Sequence, residues 1–165
     1  MKMNRISPCL WFNDQAEQAA EFYTSVFKGG KILDKTYYST VGVEIHGRPA
    51  GSVMTVNFEI AGQTMTALNG GPIFSFNEAV SFQVIVDDQD ELDYYWDTLG
   101  QGGDPKAQVC GWLKDKFGLS WQVVPAAWEA MMREPESDAT KRAMAAMFKM
   151  KKLDIAELQR AYDGR

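Results

Sequence analysis

The chain states one pattern twice, and that repeat constrains its fold more than any other feature. Pro8-Cys9-Leu10-Trp11-Phe12 runs into Asp14-Gln15-Ala16-Glu17, then an amphipathic stretch with Phe22-Tyr23, and closes at Gly29-Gly30. Ser81-Phe82-Gln83-Val84-Ile85-Val86 runs into Asp88-Gln89-Asp90-Glu91, then Tyr94-Tyr95-Trp96, and closes at Gly102-Gly103. The offset from Pro8 to Ser81, roughly 73 residues, exceeds the about 20–50 residues of solenoid repeats. A duplicated folding module is implied. Paired modules favour a shared cavity, the usual place for a ligand.

Periodicity predicts the elements. Residues 6–12 form a short strand, and Asp14 with Glu17 three positions on predicts a capping box. Ala16, Ala19, Ala20, Tyr23 and Phe27 recur at helical spacing, and the Gly29-Gly30 pair ends the helix. Residues 32–38, 53–60 and 63–68 read as strands, the last two as a hairpin turning at Ala61-Gly62; residues 43–52 read as a long loop. The second copy repeats strand and helix, then continues with shorter strands over 107–113 and 119–124, so that strand, helix and three strands occur twice. After Pro125 the pattern becomes helical, with Ser137 and Asp154 as caps. The expected fold is α+β: two βαβββ modules (about 1–70 and 78–126, together 1–126) forming a curled mixed sheet around a cavity, with a helical extension over 127–165.

Composition excludes several function classes. A net charge of −5 argues against nucleic acid as a partner, because phosphate binding needs a basic surface. The basic residues of the tail, Lys141, Arg142, Lys149, Lys151 and Lys152, read as a solvated helix face. No run approaches the ~20 apolar residues of a membrane span. Met1-Lys2-Met3-Asn4-Arg5 lacks the apolar core of a signal peptide and enters a strand at once, and two cysteines make no disulfide framework. A cytoplasmic chain with reduced thiols is expected.

Leu10-Trp11-Phe12, residues 67–72 (ALNGGP), Phe76-Asn77-Glu78-Ala79, Cys110-Gly111-Trp112-Leu113-Lys114-Asp115, Ser120-Trp121-Gln122 and residues 150–156 (MKKLDIA) carry a family resemblance. Together with the paired modules, they resemble the vicinal-oxygen-chelate superfamily of glyoxalase I, extradiol dioxygenases and antibiotic-resistance proteins. Within it they are similar to the PhnB-like branch, also labelled demethylubiquinone methyltransferase-like. Metal-dependent members of the superfamily place mainly His and Glu ligands on the first and last strand of each module. The resemblance carries those positions onto Pro8, a residue near Ala67, Ser81 and Gln122, none of them His or carboxylate. The single histidine, His46, falls in a loop and reads as solvent-facing. No metal and no cofactor is therefore expected.

Strand alternation sorts the remaining candidates. Phe82, Val84 and Val86, like Trp121 and Val123, should lie under helices, leaving Ser81, Gln83 and Ile85, and Ser120, Gln122 and Val124, on a mixed face. Asn69, Ser81, Gln83, Trp112 and Gln122 are the expected ligand-binding residues, Asn69 by sharing the parity of Ala67. Gln83 and Gln122 could equally bond each other. Glu78 is a candidate general base if aromatic neighbours raise its pKa, and otherwise braces a loop. Cys110 is a weak candidate nucleophile, whereas Cys9 takes a helix-facing parity and reads as core. Lys114 and Asp115 read as an exposed pair at a hairpin turn.

A methyl donor is commonly held by a glycine-rich strand-to-helix turn, but here the glycine pairs follow helices. The expected function is a metal-independent small-molecule-binding protein. The alternative is an enzyme, either a metal-free isomerase or lyase or the methyltransferase of the family label. The tail's helices, with the apolar stripe Met131, Met132, Met144, Met147 and Met150, cover a sheet edge or seal a homodimer.

Overall fold

Two sheets of unequal width carry the chain. The computed structural model describes residues 6–165; Met1-Lys2-Met3-Asn4-Arg5, on which the targeting expectation rests, lie outside them. The fold is α+β, and it divides into two units, Met1–Ser75 and Phe76–Arg165.

The first unit holds β1 (Cys9–Phe12), α1 (Ala16–Val26), β2 (Lys31–Tyr37), a single-turn helix α2 (Val43–His46), β3 (Val53–Ile60) and β4 (Gln63–Asn69). Its sheet order is β1-β4-β3-β2, with β1 parallel to β4 and the other pairs antiparallel. Ala16, Ala19, Ala20, Tyr23 and Val26 line the buried stripe of α1. They face Val56, Phe58, Ile60, Met65 and Ala67, the buried alternate residues of β3 and β4, and Tyr23 stacks on Phe58 at 6.0 Å.

That alternation corrects two expectations. Leu10 and Phe12 are the buried residues of β1, so Cys9 belongs to the opposite face and is exposed. Ala67, paired with Leu10, is fully buried beneath α1, so neither it nor Pro8, two residues before Leu10, has the open-face parity. Cys9, Trp11, Thr66 and Leu68 have it instead. The cap of α1 also differs. Gln15 occupies the cap position without a side-chain bond, and Asn69 from β4 accepts the Ala16 N–H at 2.8 Å in place of Asp14.

The second unit holds β5 (Ser81–Val86), α3 (Gln89–Gly100), a 3-10 turn (Pro105–Ala107), β6 (Trp112–Lys114), β7 (Ser120–Pro125), α4 (Ala127–Met131), α5 (Asp138–Met147) and α6 (Ile155–Asp163). The sheet order is β5-β7-β6, with β5 parallel and β6 antiparallel to β7. Asp88 caps α3 by accepting from Glu91 N, Ser137 caps α5 through Thr140 N, and Asp154 caps α6 through Glu157 N.

Three strands were expected after α3, and two form. The Asp104 side chain accepts from Lys106 N, and Pro105 offers no N–H, so the chain turns where a strand would extend. Gly103 passes so close to β6 that an added Cβ would lie 1.9 Å from the Lys114 carbonyl oxygen. Of the strand expected over 107–113, only Trp112 and Leu113 join β6, and an isolated bridge links Val109 to Trp112. The tail supplies the missing partners: Cys110 N donates to Met150 O at 2.9 Å and Gly111 N to Lys151 O at 2.8 Å.

The tail's basic residues are also more than a solvated face. Lys152 pairs with Asp93 (3.0 Å) and Asp97 (3.3 Å) on α3, and Arg142 donates to the carbonyls of Ala161 (2.9 Å) and Tyr162 (2.7 Å) at the end of α6. Gln89 ties the same tail down, donating to Leu153 O and accepting from Ile155 N. Among the described residues no helix is long and apolar enough to cross a membrane.

Candidate functional site

The second unit's sheet is covered by α3 on one face and open on the other. Val84, Val86, Trp121, Val123 and Leu113 are buried on the α3 side. The register then sets the open face in three rows: Ser81, Ser120 and Lys114; Gln83, Gln122 and Trp112; Ile85 and Val124. Four of the five expected ligand-binding residues thus share one surface. Asn69 does not join them. It lies in the first unit, 7% exposed, with Oδ1 on Ala16 N, Nδ2 donating to Val53 O (3.1 Å) and its own carbonyl accepting from Tyr38 Oη (2.6 Å). Its side chain is a brace, because β4 ends where α1 begins and the first-turn helix N–H, buried there, needs an acceptor.

An amide row runs through the middle of the open face. Gln83 Nε2 donates to Gln122 Oε1 (3.3 Å), and Gln122 Nε2 donates to Ser81 Oγ (2.8 Å). The mutual bond weighed from sequence therefore forms, and it orients Gln122 toward Ser81. Ser120 differs from its neighbours. It is 1% exposed, and its Oγ has no hydrogen-bond partner.

Two hollows flank this row. The larger, about 560 Å³, lies against β5 and the start of α4 and is lined by Gln83, Ile85, Val124, Trp128, Met132 and Arg133 among others. The smaller, about 370 Å³, lies against β6 and includes Glu78, Lys106, Val109, Trp112, Lys114 and Ser120. Both fall within the size range of small-molecule sites.

The turn between β6 and β7 fixes the smaller hollow. Asp115, expected to be exposed, is buried: Oδ1 accepts from Phe117 N (2.8 Å) and Leu119 N (3.0 Å), and Oδ2 accepts from Trp121 Nε1 (2.9 Å). An Asx turn needs this short acceptor, and the indole completes its bonding. Lys114 and Ser120, paired across the turn, are placed by it. Lys114 Nζ in turn meets Glu78 Oε1 at 2.5 Å. That hydrogen bond holds the Glu78 carboxyl below its ordinary pKa, the reverse of the raised value a general base at neutral pH requires.

Cys110 and Gly111 both take left-handed backbone, with φ of 50° and 83°. A Cβ at position 111 would lie 3.1 Å from both Leu153 Cδ1 and Val123 O, so this kink needs glycine. The kink turns Trp112 onto the open face. His46, read as a loop residue, ends α2 and packs on Tyr38 at 4.5 Å. Its Nδ1 accepts from Arg48 N (3.0 Å), which assigns the ring hydrogen to Nε2, facing Val41 O.

The donor set does not fit a metal. Among the described residues no three or more His, Cys, Asp or Glu side chains come together as a ligand group. The open-face positions of the second sheet, Ser81 and Gln122, are bonded to each other through neutral oxygen and nitrogen. Nor do the glycines fit a methyl donor: Gly29-Gly30 follow α1 and Gly102-Gly103 follow α3.

Sequence reasoning placed Ser120 on the right face without singling it out, and it missed Lys114 and the residues in and just after α4. The parity of Trp112 and Lys114 across the hairpin was the available signal for Lys114. Trp128, Met132 and Arg133 reach the site from beyond the sheet, where alternation gives no address.

Residues 4–124 match the family model described as 3-demethylubiquinone-9 3-methyltransferase. A Bacillus cereus structure described as a putative 3-demethylubiquinone-9 3-methyltransferase, PhnB protein, is 30% identical with a TM-score of 0.62, covering 74% of this chain and 100% of its own. A Pseudomonas aeruginosa protein is 20% identical, with a TM-score of 0.56 and coverage of 74% and 98%. The fosfomycin resistance protein FosX from Listeria monocytogenes shares the fold at 12% identity, with a TM-score of 0.54 and coverage of 81% and 100%. No curated protein matches the chain. With its family model spanning both sheets, this chain belongs to the 3-demethylubiquinone-9 3-methyltransferase family, in the PhnB-like branch of the vicinal-oxygen-chelate superfamily.

Proposed function

We propose that this chain is a metal-independent small-molecule-binding protein whose ligand lies on the open face of the second sheet. One observation carries the reading. Ile85 is 66% exposed, and it lines a hollow of about 560 Å³ together with Val124, Trp128 and Met132, with the Gln83 amide and Arg133 at its polar points. An apolar hollow with a few oriented polar groups is the usual form of a ligand site. The amide row bonded to Ser81 gives that surface a fixed donor and acceptor pattern, and Glu129 is the carboxylate in the lining of the same hollow.

The family's description names methyl transfer, and that is the competing reading. Thermal-shift measurement against S-adenosylmethionine, S-adenosylhomocysteine, divalent metals and small aromatic compounds separates the two. The binding reading expects stabilisation by an apolar compound, lost in I85D. Stabilisation by S-adenosylmethionine, absent with its demethylated analogue, would overturn it. A homodimer belongs to the same proposal: Val41, Ile45, Ile73 and Phe74 are exposed in the first unit and offer apolar surface to a second copy. Sedimentation as a monomer at micromolar concentration would remove it.

A further inference from the structure

The smaller hollow contains the one buried polar side-chain atom among the described residues that has no partner, Ser120 Oγ. A buried hydroxyl left unpaired costs about 1–3 kcal/mol, so its persistence in a hollow of about 370 Å³ points to a ligand that completes it. Across the strand pair from Ser120 stands Lys114, whose ammonium is already shared with a carboxylate. That carboxylate belongs to Glu78, which precedes β5 and is 67% exposed, while the Lys114 side chain is 23% exposed. The cation is held in the site, and its present anion can leave to water.

We propose that this hollow is a carboxylate subsite for small monocarboxylates with a flat apolar body, and that Glu78 occupies it when the ligand is absent. The inference rests on the reading of the open face as a small-molecule site. Two ligand oxygens find two donors, Ser120 Oγ–H and Lys114 Nζ. Exchange of one carboxylate for another leaves the charge around Lys114 unchanged, so the ligand's desolvation is met by the same ion pair. A phosphate dianion would bring a second charge and further acceptors that the hollow's few donors do not match. Val109, Trp112 and Ala107 supply the apolar wall, with the indole for a flat ring to lie against. Lys106 at the margin adds attraction without a fixed bond.

The test is amide-resolved NMR titration of the full chain with sodium benzoate, benzamide and inorganic phosphate, in wild type and in S120A, K114M and E78Q. Benzoate should saturate with shifts at Val109, Trp112, Lys114 and Ser120, with weaker shifts from benzamide and none there from phosphate. S120A should weaken benzoate about tenfold, the loss of about 1.4 kcal/mol. K114M should remove the preference for benzoate over benzamide. E78Q should tighten benzoate severalfold, because it removes the competitor, and a merely structural ion pair would give no such gain. Equal binding of benzamide and benzoate, or weaker binding in E78Q, overturns the inference. Shifts confined to Ile85, Val124, Trp128 and Met132 overturn it while leaving the broader reading standing. No response from either hollow to any probe removes both.

Discussion

The two sheets descend from one sequence pattern, yet their open faces are finished differently. On the first, the rows close on themselves. Thr66 Oγ1 donates to Asn57 Oδ1 (2.6 Å), Asn57 Nδ2 donates to Asp34 Oδ1 (2.8 Å), the Thr36 and Thr55 hydroxyls meet at 2.6 Å, and Lys31 pairs with Glu59 (3.1 Å). On the second, the rows stop short. Gln83, Gln122 and Ser81 are joined, but Ser120 Oγ is unpaired and Lys114 leans on an exposed carboxylate. Cross-strand polar pairs are a means of stabilising a sheet, and the first unit uses them so. The second unit leaves that capacity unspent beside two hollows, which is where binding is proposed.

The comparison is broken most forcefully at the turn that builds the second face. Asp115→Ala strands two backbone N–H groups and the Trp121 indole, and should cost about 3 kcal/mol in urea denaturation. Asn57→Ala, removing an exposed bond to Asp34 and a part-buried one from Thr66, should cost less. If the two losses are equal, Asp115 is not the organiser of the hairpin.

Helix capping gives the next largest contrast. In the first unit the acceptor for α1 comes from another element, and Asn69 also anchors Val53 O. In the second, Asp88 caps its own helix. Asn69→Ala should therefore cost about 2 kcal/mol and loosen β4 as well as α1, while Asp88→Ala should cost about 1 kcal/mol, confined to α3. Hydrogen exchange of the β3 and β4 amides distinguishes the two.

These contrasts show where the sequence was readable. Alternation placed six strands, reached only Trp112 and Leu113 of β6, and sorted the open face of β5 and β7 correctly, because a period of two admits only two answers. It failed on β1, where a four-residue strand starting after Pro8 leaves few residues to fix parity, and Cys9 was assigned to the wrong face. The cap of α1 was misassigned because Asp14 matched a local rule while the actual acceptor, Asn69, is 53 positions away. The missing third strand of the second unit was hidden for a related reason: the backbone partners of Cys110 and Gly111 come from Met150 and Lys151. Asp115 reads as a surface turn residue until the Trp121 indole is placed on it. Long-range partners leave no periodic trace.

Acid should separate the units further. The Glu78 carboxyl is held below its ordinary value of 4.5, chiefly by the Lys114 hydrogen bond, so its ion pair stabilises the fold above that value and the contribution fades as pH falls through the lower folded value. Asp93 behaves alike, held low first by Gln89 and then by Lys152. In the first unit, Lys35 is raised by Glu17, so its contribution is present at neutral pH and fades only as pH rises through the higher folded value. E78Q should flatten part of the acid-side decline in thermal midpoint and leave the alkaline side untouched. An unchanged acid profile would mean that the Glu78–Lys114 pair is not formed in solution.

The smallest effect concerns Cys9. By area it is exposed, on the same face as Trp11 and Thr66, yet partial burial raises its thiol pKa. Only the thiolate attacks an alkylating agent, and burial disfavours that form. Iodoacetamide should therefore modify Cys9 more slowly than a free thiol at neutral pH, with the rate climbing as the solution is made alkaline. Peptide mapping reads this site by site. Fast modification at neutral pH would show that the thiol is activated, and the first face would then have to be counted as a reactive surface as well as a stabilising one.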